Sequence, residues 1–233
     1  MPDRPSDQLR PVSVELGFTE STPGSVLISM GRTRVLCTAS VEDDVPRWMR
    51  DADRGWVTAE YGMLPGSSNE RVRRDHVSGG RAMEISRLIG RGLRAAVNLK
   101  AMGQVMARVD CDVIEADGGT RTASITGGWI ALHQAFEDAV ARDVIPANPI
   151  IDEVAAISVG IVDGEKVLDL DYQKDFGADV DLNVVMSGRG LLVEVQGTAE
   201  GAPFTRDDLN DLLDLATSGI TELHDMQRRA VAS

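Results

Sequence analysis

The spacing of apolar residues in the first half of the chain predicts strands, then a helix, then a further strand. Two β-rich runs, Ser25 to Met30 and Thr33 to Val41, flank a glycine turn and predict a hairpin, and another strand is expected from Trp56 to Met63. From Arg81 to Asn98 the apolar residues recur at helical spacing, which indicates an amphipathic helix. Alternation of apolar and polar residues from Gln104 to Ala116 then predicts a half-buried strand.

The second half begins with a helix from Thr120 to Arg142, on which apolar residues recur along one side. Four strand-like runs follow and pair into two hairpins around glycine-containing turns. These runs are Val154 to Val162, Lys166 to Asp171, Val180 to Met186 and Leu191 to Val195. Thr205 and Asp208 have the spacing of a helix-capping pair, and the apolar residues after them predict a long C-terminal amphipathic helix. This order of strands and helices is typical of an α+β fold.

The length of 233 residues and the 42% hydrophobic content suit either one compact domain or a pair of lobes of roughly 100 residues each. We expect a single domain over 1–233, for which 1–145 and 146–233 are the candidate sub-lobes. No apolar stretch approaches the roughly 20 residues that cross a bilayer, and the first residues lack the apolar centre of a signal peptide. We therefore expect a cytoplasmic protein without a membrane partner. Cys37 and Cys111 lie in apolar runs, which favours a place in the core over a disulfide or a metal site.

The formal net charge of −13 argues at first against a nucleic-acid partner. The distribution of charge changes the picture, because the segment from Glu70 to Lys100 contains eight basic and three acidic residues. Several of its arginines form a stripe along the helix predicted there. Such a segment suits the binding of a polyanion such as RNA, and a salt-bridged, solvated helix face explains the charges alone equally well.

Two glycine pairs stand where a helix is predicted to begin, and each is followed by an arginine. One is Asp117-Gly118-Gly119-Thr120-Arg121, and the other is Ser78-Gly79-Gly80-Arg81. The sequence lacks the phosphate loop of P-loop proteins, so an anion site here would be of another kind. Backbone N–H groups and the helix dipole attract an anion at a helix start, whereas an arginine there is unfavourable unless an anion lies between them. For either motif alone, a glycine turn with a surface arginine explains the sequence; together they favour phosphate.

Five aspartates lie close together in the sequence: Asp169, Asp171, Asp175, Asp179 and Asp181. They lack the glycine and glutamate positions of an EF-hand calcium loop. Alternation along the predicted strand places Asp179, Asp181 and Asn183 on its polar face, where carboxylates can hold Mg²⁺ or donate a proton. An acidic hairpin edge that discourages aggregation is the alternative. With the arginines, these carboxylates suggest phosphoryl-transfer chemistry on a polyanion.

Several stretches of the sequence resemble the ribonuclease PH family of phosphate-dependent 3′-to-5′ exoribonucleases, which is related to polynucleotide phosphorylase and to exosome core subunits. The stretches span nearly the whole chain, and several are long and follow the order of the family. They are Leu9-Arg10-Pro11, Gly24 to Ile28, Thr58 to Pro65, Glu84 to Arg91, Asp110 to Gly127, Val180 to Val184 and Glu194 to Thr198.

The resemblance implies an α+β domain with mixed sheets built from β-α-β units, assembled as a hexameric ring, a trimer of dimers. It also implies the reaction: inorganic phosphate attacks the terminal phosphodiester of an RNA 3′ end, notably of a tRNA precursor, and releases a nucleoside diphosphate. By this likeness the attacking phosphate is held by Arg81, Gly119, Thr120 and Arg121. Asp175 and Asp181 match the catalytic carboxylates of the family, which are expected to hold Mg²⁺ or Mn²⁺ or to protonate the departing 3′ oxygen.

The arginine-rich loop looks like the RNA-binding loop of the family, so the resemblance assigns RNA contacts to Arg71, Arg73 and Arg74. The chain departs from the family pattern at Gly66, where an RNA-binding arginine is usual, and at Lys174, where an acidic residue is usual. Pairing of Lys174 with Asp175 would lower the pKa of the aspartate and favour metal binding over proton donation. Two other interpretations stay open: a non-catalytic RNA-binding subunit of an exosome-like ring, and a phosphate-binding metabolic enzyme on a similar scaffold.

Overall fold

The computed structural model describes residues 4–73 and 79–232 of the chain. Its first sheet contains β1 (Val12–Leu16), β2 (Gly24–Met30), β3 (Thr33–Glu42), β4 (Trp56–Met63) and β5 (Met106–Glu115). The spatial order is β1-β2-β3-β5-β4, and neighbours are antiparallel except for β4 and β5, which are parallel. A short 3₁₀ helix, Arg47–Met49, precedes β4, and helix α1 (Gly80–Ala95) lies between β4 and β5 in the sequence. This β-α-β unit in a mixed sheet confirms the predicted α+β fold.

The second sheet contains β6 (Val154–Val162), β7 (Glu165–Leu168), β8 (Val180–Ser187) and β9 (Leu192–Ala199). It is antiparallel, in the order β7-β6-β8-β9. Both predicted hairpins are confirmed, with Asp163 and Gly164 at φ of 50° and 78° in the first turn and Gly190 at φ of 75° in the second. The short helix α3 (Tyr172–Phe176) lies between β7 and β8 in the sequence.

Three short elements and several element ends differ from the sequence-based prediction. The 3₁₀ helix Arg47–Met49 is not predicted, β9 continues to Ala199 rather than ending at Val195, and α1 ends at Ala95 rather than at Asn98. Strand β7 stops at Leu168 rather than at Asp171, because Asp169 adopts a φ of 55° and leaves the extended conformation. The pattern also predicts neither β1 nor α3. Strand β1 is a short edge strand with no fully buried residue, and α3 is too short to show a helical period.

Helix α2 (Thr120–Ala141) lies between the two sheets, in contact with β2 and β3 on one side and with β6 on the other. It is buried along most of its circumference rather than on the single side that the sequence predicts, because both of its faces meet a sheet. A glycine permits the close approach to β2: a Cβ atom at Gly24 would lie 2.1 Å from the carbonyl oxygen of Ala131.

Helix α4 (Arg206–Val231) packs on α2 and β6 and starts with the predicted capping box, in which Thr205 and Asp208 accept hydrogen bonds from each other's backbone N–H groups. A hydrophobic core runs from the first sheet through the helices to the second sheet. Cys37 and Cys111 are free thiols buried in it, as predicted. Among the described residues, no helix is long and apolar enough to cross a membrane.

Candidate active site

The predicted site residues line one cleft of about 1290 Å³, which is bounded by the N-terminal ends of α1 and α2, by α3 and by the first half of β8. Its lining includes the residues assigned to phosphate and to catalysis, which are Arg81, Gly119, Thr120, Arg121, Asp175 and Asp181. Arg71 and Arg73 line the same cleft, whereas Arg74 lies outside the described residues. The fold therefore brings together groups that are far apart in the sequence.

Glycines shape the start of α2. Gly118 and Gly119 have φ of 77° and 66°, and a Cβ atom at Gly118 would lie 2.5 Å from the carbonyl oxygen of Leu170. In the described part of the chain, no side chain caps α2 or α1, whose N-cap residues are Gly119 and Gly79. The first turn of each helix contains an arginine and no acidic residue. The N–H groups at both helix starts thus remain available to an anion.

Two networks fix the residues at the start of α2. Nη1 of Arg121 donates to Oε1 of Gln196 at 2.9 Å and lies 3.6 Å from Oε1 of Glu84. Gln196 donates from Nε2 to the same Glu84 oxygen at 3.0 Å, which closes a ring of three side chains. Oγ1 of Thr120 is 2.8 Å from Oη of Tyr61, whose pKa is raised by burial, so that the phenol stays protonated. These side chains are therefore held in place before any substrate arrives.

Asp175 lies in α3 and Asp181 lies near the start of β8, and burial raises the pKa of both carboxyls. The pKa of Asp181 rises to about 6, first because of burial and then because the charge of Asp175 opposes ionisation. Arg121 and Arg81 act in the opposite direction on both aspartates. Oδ1 of Asp181 is buried and has no hydrogen-bond partner within 4–73 and 79–232. The two carboxylates thus repel each other between two cations.

The predicted effect of Lys174 on Asp175 is wrong, because the pKa of Asp175 is raised rather than lowered. The charges that act on it are those of Arg121, Arg81, Arg10 and Asp171. The reason is the helix itself: Asp171 caps α3 by accepting hydrogen bonds from the N–H groups of Gln173 and Lys174. Consecutive residues of a helix point in different directions, so Lys174 and Asp175 do not face each other.

A buried ion pair fixes the loop before α2. Arg10 and Asp169 are 2% and 0% exposed, and two nitrogens of the guanidinium donate to the two carboxylate oxygens at 2.9 and 2.6 Å. Nη1 of Arg10 also donates to the carbonyl oxygen of Asp117 at 2.6 Å, and Thr33 donates to that of Gly118 at 2.6 Å. Asp169 precedes α3 in the chain, so the pair connects the glycine loop to the segment that carries Asp175.

Sequence reasoning misses the role of this pair, although it singles out both members. Arg10 belongs to one of the stretches that resemble the family, and Asp169 belongs to the acidic cluster. Nothing in the spacing connects two residues that are 159 positions apart. The one signal in the sequence is that each of these charged residues stands next to apolar residues. A charged residue in such a place is rarely buried unless it has a partner of opposite charge.

The predicted basic stripe on α1 is only partly present. The guanidinium of Arg94 lies 4.5 Å from the ring centroid of Trp56 and donates to the carbonyl oxygen of Val57 at 2.9 Å. Arg91 donates two hydrogen bonds to the carboxylate of Glu194. These two arginines hold α1 against the sheets, as the salt-bridge interpretation predicts. The arginines that line the cleft are Arg32, Arg71, Arg73, Arg81 and Arg121.

Two family models match the two parts of the chain. Residues 8–136 match the 3′ exoribonuclease family, domain 1, and residues 152–219 match the 3′ exoribonuclease family, domain 2. Over 233 residues the chain is 53% identical to ribonuclease PH of Brucella ovis, and the match covers 98% of this chain and 98% of that protein. The chain belongs to the ribonuclease PH family. Ribonuclease PH of Brucella canis shows the same 53% identity and the same coverage of 98%.

Solved structures share the fold at lower identity. The Archaeoglobus fulgidus exosome with RNA bound to the active site has a TM-score of 0.79 at 21% identity, covering 92% of this chain and 87% of that chain. Rice (Oryza sativa) Rrp46 has a TM-score of 0.76 at 18% identity, covering 97% of this chain and 96% of that chain. These likenesses confirm the fold, and they are too distant to favour a non-catalytic exosome subunit.

Membership of the ribonuclease PH family confirms the expected activity. The chain is a phosphorolytic 3′-to-5′ exoribonuclease, a nucleotidyltransferase with RNA as substrate and inorganic phosphate as co-substrate. The alternatives of a non-catalytic subunit and of a metabolic enzyme are therefore set aside.

Proposed function

We propose that this cleft removes nucleotides from RNA 3′ ends, tRNA precursors among them, with arginines and helix N-termini holding phosphate and two aspartates serving the departing oxygen. One observation carries the proposal: two helix N-termini without side-chain caps, each with an arginine in its first turn, line the same cleft as Asp175 and Asp181. The cleft thus combines groups that bind an anion with carboxyl groups that can transfer a proton.

The positive side of the cleft suits the attacking phosphate. Arg121 is oriented by Gln196 and Glu84, so little side-chain freedom is lost when it binds an anion. Gly119 and Thr120 contribute the N–H groups at the start of α2, and Arg81 adds a second positive charge from α1. We assign phosphate binding to these four residues, since preorganised donors also stabilise the charge that develops during transfer.

In the proposed step, a phosphate oxygen attacks the phosphorus of the terminal phosphodiester. The bond between that phosphorus and the 3′ oxygen of the preceding nucleotide breaks, and the terminal nucleotide leaves as a nucleoside diphosphate. The shortened RNA keeps the 3′ oxygen, which takes up a proton. We assign this proton to Asp181 when no metal ion occupies its carboxylate, because a carboxyl with a pKa of about 6 is partly protonated near neutral pH.

Mg²⁺ or Mn²⁺ is part of the same proposal. Within the described residues no group of three His, Cys, Asp or Glu side chains could hold a metal ion. Asp175 and Asp181 still fit Mg²⁺, which often takes one or two carboxylates and completes its shell with water and substrate phosphates. Their mutual repulsion and the unpartnered Oδ1 of Asp181 are features that a cation would relieve. Once bound, such an ion neutralises charge on the phosphate oxygens.

We assign RNA binding to Arg71 and Arg73, which line the cleft, and to Arg74, which follows them in the sequence. Replacing Arg71 and Arg73 with glutamine should weaken RNA binding and flatten its salt dependence, by a slope of about 0.7 for each phosphate that is no longer neutralised. Fluorescence anisotropy of a labelled single-stranded RNA over a salt series measures both quantities. A wild-type affinity that does not change with salt would contradict this assignment.

A hexameric ring, a trimer of dimers, and a cytoplasmic location complete the proposal. The support for a ring is the fold shared with the archaeal exosome core, at a TM-score of 0.79 and 21% identity. Light scattering of the purified protein measures the mass of the assembly. A monomer at micromolar concentration would contradict the ring.

The central experiment incubates the protein with a 3′-extended tRNA and Mg²⁺, with and without inorganic phosphate, and identifies the products by mass spectrometry. We expect nucleoside diphosphates only when phosphate is present. Asp181→Asn and Arg121→Gln should lose this activity, whereas Asp179→Asn, a change at an exposed aspartate outside the cleft lining, should keep it. Nucleoside monophosphates from the wild type would instead indicate hydrolysis and overturn the proposal.

A further inference from the structure

Helix α3 presents two aromatic rings beside the carboxylates of the cleft. The rings of Tyr172 and Phe176 stack with their centroids 6.2 Å apart and their planes inclined by 27°. Tyr172 is 53% exposed and Phe176 is 83% exposed, the largest value among the large apolar side chains of the described residues. So exposed a pair contributes little to the stability of this chain, and its position in the lining of the cleft suits a role in binding.

The position of the pair limits what can bind it. Both rings line the cleft that contains Asp175 and Asp181, and Asp175 directly precedes Phe176 in the chain. A molecule that stacks on the rings would therefore lie next to the proposed site of bond cleavage. The same cleft carries Arg71, Arg73 and Arg121, which suit a sugar-phosphate backbone.

We propose that Tyr172 and Phe176 form a stacking platform for a nucleobase at the 3′ end of the RNA. This inference rests on the proposed function and adds a role that does not involve phosphate. Every base has a flat π-face, so a ring without hydrogen-bonding groups, such as that of Phe176, accepts all four bases, as an exonuclease requires. Purines offer the larger face and should bind more tightly than pyrimidines.

A protein partner fits these observations less well. Two aromatic side chains bury roughly 150–250 Å² each, whereas a stable interface needs about 800 Å² on each partner. The residues between the two rings are Gln173, Lys174 and Asp175, all polar. A small apolar platform surrounded by charged residues is suited to one or two bases of a nucleic acid.

The test uses the full-length protein in phosphate-free buffer, where no turnover occurs, and a short single-stranded RNA with 2-aminopurine at its 3′ end. Binding to the wild type should quench the 2-aminopurine fluorescence through stacking. Phe176→Ala should lose most of this quenching and bind RNA roughly tenfold more weakly, while Phe176→Tyr should behave like the wild type. Trp48→Ala is the matched control, because Trp48 is an aromatic residue that is 67% exposed and lies outside the cleft lining.

Turnover separates stacking from catalysis. With phosphate present, Phe176→Ala should raise KM for RNA about tenfold and change kcat by less than threefold. The reason is that stacking stabilises the bound RNA and the transition state to the same extent. RNA that lacks the terminal base should bind the wild type about as weakly as intact RNA binds Phe176→Ala. The same variant should show no further loss with the abasic RNA.

Two results would overturn the platform. One is unchanged quenching and affinity in Phe176→Ala. The other is a changed assembly mass by light scattering with RNA affinity intact, since the rings would then be covered by a second copy of the chain. Either result leaves phosphate-dependent release of nucleoside diphosphates untouched, whereas failure of that release in the wild type would reject the proposed function and leave the quenching result standing.

Discussion

The carboxyl of Asp181 is partly buried beside a second carboxylate, and its pKa of about 6 means that the folded protein binds this proton more tightly than the unfolded chain does. The free energy of unfolding should therefore fall as the pH rises from about 4 to about 6 and stay lower above that range. Asp181→Asn removes the titrating group. We expect the variant to be more stable than the wild type at pH 7.5 by about 2 kcal/mol. This is less than the free energy that corresponds to the whole pKa shift, because the carboxyl keeps some contact with solvent.

Urea unfolding in EDTA at pH 4 and at pH 7.5 measures this effect. The gain should shrink to a small fraction at pH 4, where the folded wild-type carboxyl is protonated and the unfolded one is close to half protonated. Asp179→Asn serves as the control, since Asp179 is exposed. An equal change in unfolding free energy at both pH values would mean that Asp181 is not the titrating group. Because the same variant should lose phosphorolysis, the residue would sacrifice stability for activity.

The Arg10–Asp169 pair affects stability through a buried charge rather than through titration. Arg10→Met leaves the carboxylate of Asp169 buried without its cation, and we expect a loss of about 3–5 kcal/mol in the free energy of unfolding. The double variant Arg10→Met/Asp169→Asn should recover part of this loss, because asparagine is neutral and tolerates the φ of 55° at that position.

The double variant also separates stability from positioning. It still lacks the donor that holds the carbonyl oxygen of Asp117 at 2.6 Å, so KM for phosphate should stay raised even where the protein is folded. Urea unfolding gives the stability, and initial rates over a range of phosphate concentrations give KM. A double variant with wild-type KM would show that the pair serves only the fold.

Among the elements, the glycine loop before α2 allows a matched test of geometry. Gly118 and Gly103 have similar φ of 77° and 69°, but a Cβ atom meets the Leu170 carbonyl oxygen at 2.5 Å in the first case and nothing within 4 Å in the second. Gly103→Ala should cost about 1 kcal/mol for the backbone conformation alone. Gly118→Ala should cost more, by about 1–3 kcal/mol, and should also raise KM for phosphate. Thermal unfolding and phosphate kinetics of the two variants check this, and equal effects would contradict the steric argument.

The sequence predicts the long elements of this fold well because each has a clear hydrophobic period. It misses α3, a helix of five residues whose signals are the Asp171 cap and Gly177 after its end, and it therefore places Asp175 without its helix. The glycine–arginine motifs predict both helix starts of the cleft. The pairing of Arg10 with Asp169 and the contact of Arg94 with Trp56 are tertiary contacts, and no local pattern in the chain encodes them.

For the whole molecule, the packing of α2 against the second sheet determines whether 1–145 and 146–233 unfold as one unit. Its face towards β6 is apolar, and Nε1 of Trp129 donates to the carbonyl oxygen of Asp152 at 3.0 Å across the boundary. Separating the two parts would expose that face and leave a buried donor unpaired. We therefore expect a single cooperative unfolding transition.

The distribution of tryptophans makes this measurable in the intact chain. Trp48, Trp56 and Trp129 all lie within 1–145, so their fluorescence follows that part, whereas far-UV circular dichroism follows every helix and strand. The two urea curves should coincide; separate midpoints would show that the sub-lobes unfold independently. Inorganic phosphate should move both curves to higher urea together, because it binds only the folded state and the two parts unfold as one unit, although Arg81, Gly119, Thr120 and Arg121 all lie in 1–145. A shift confined to the fluorescence curve would mean that phosphate stabilises 1–145 alone and that 146–233 unfolds separately.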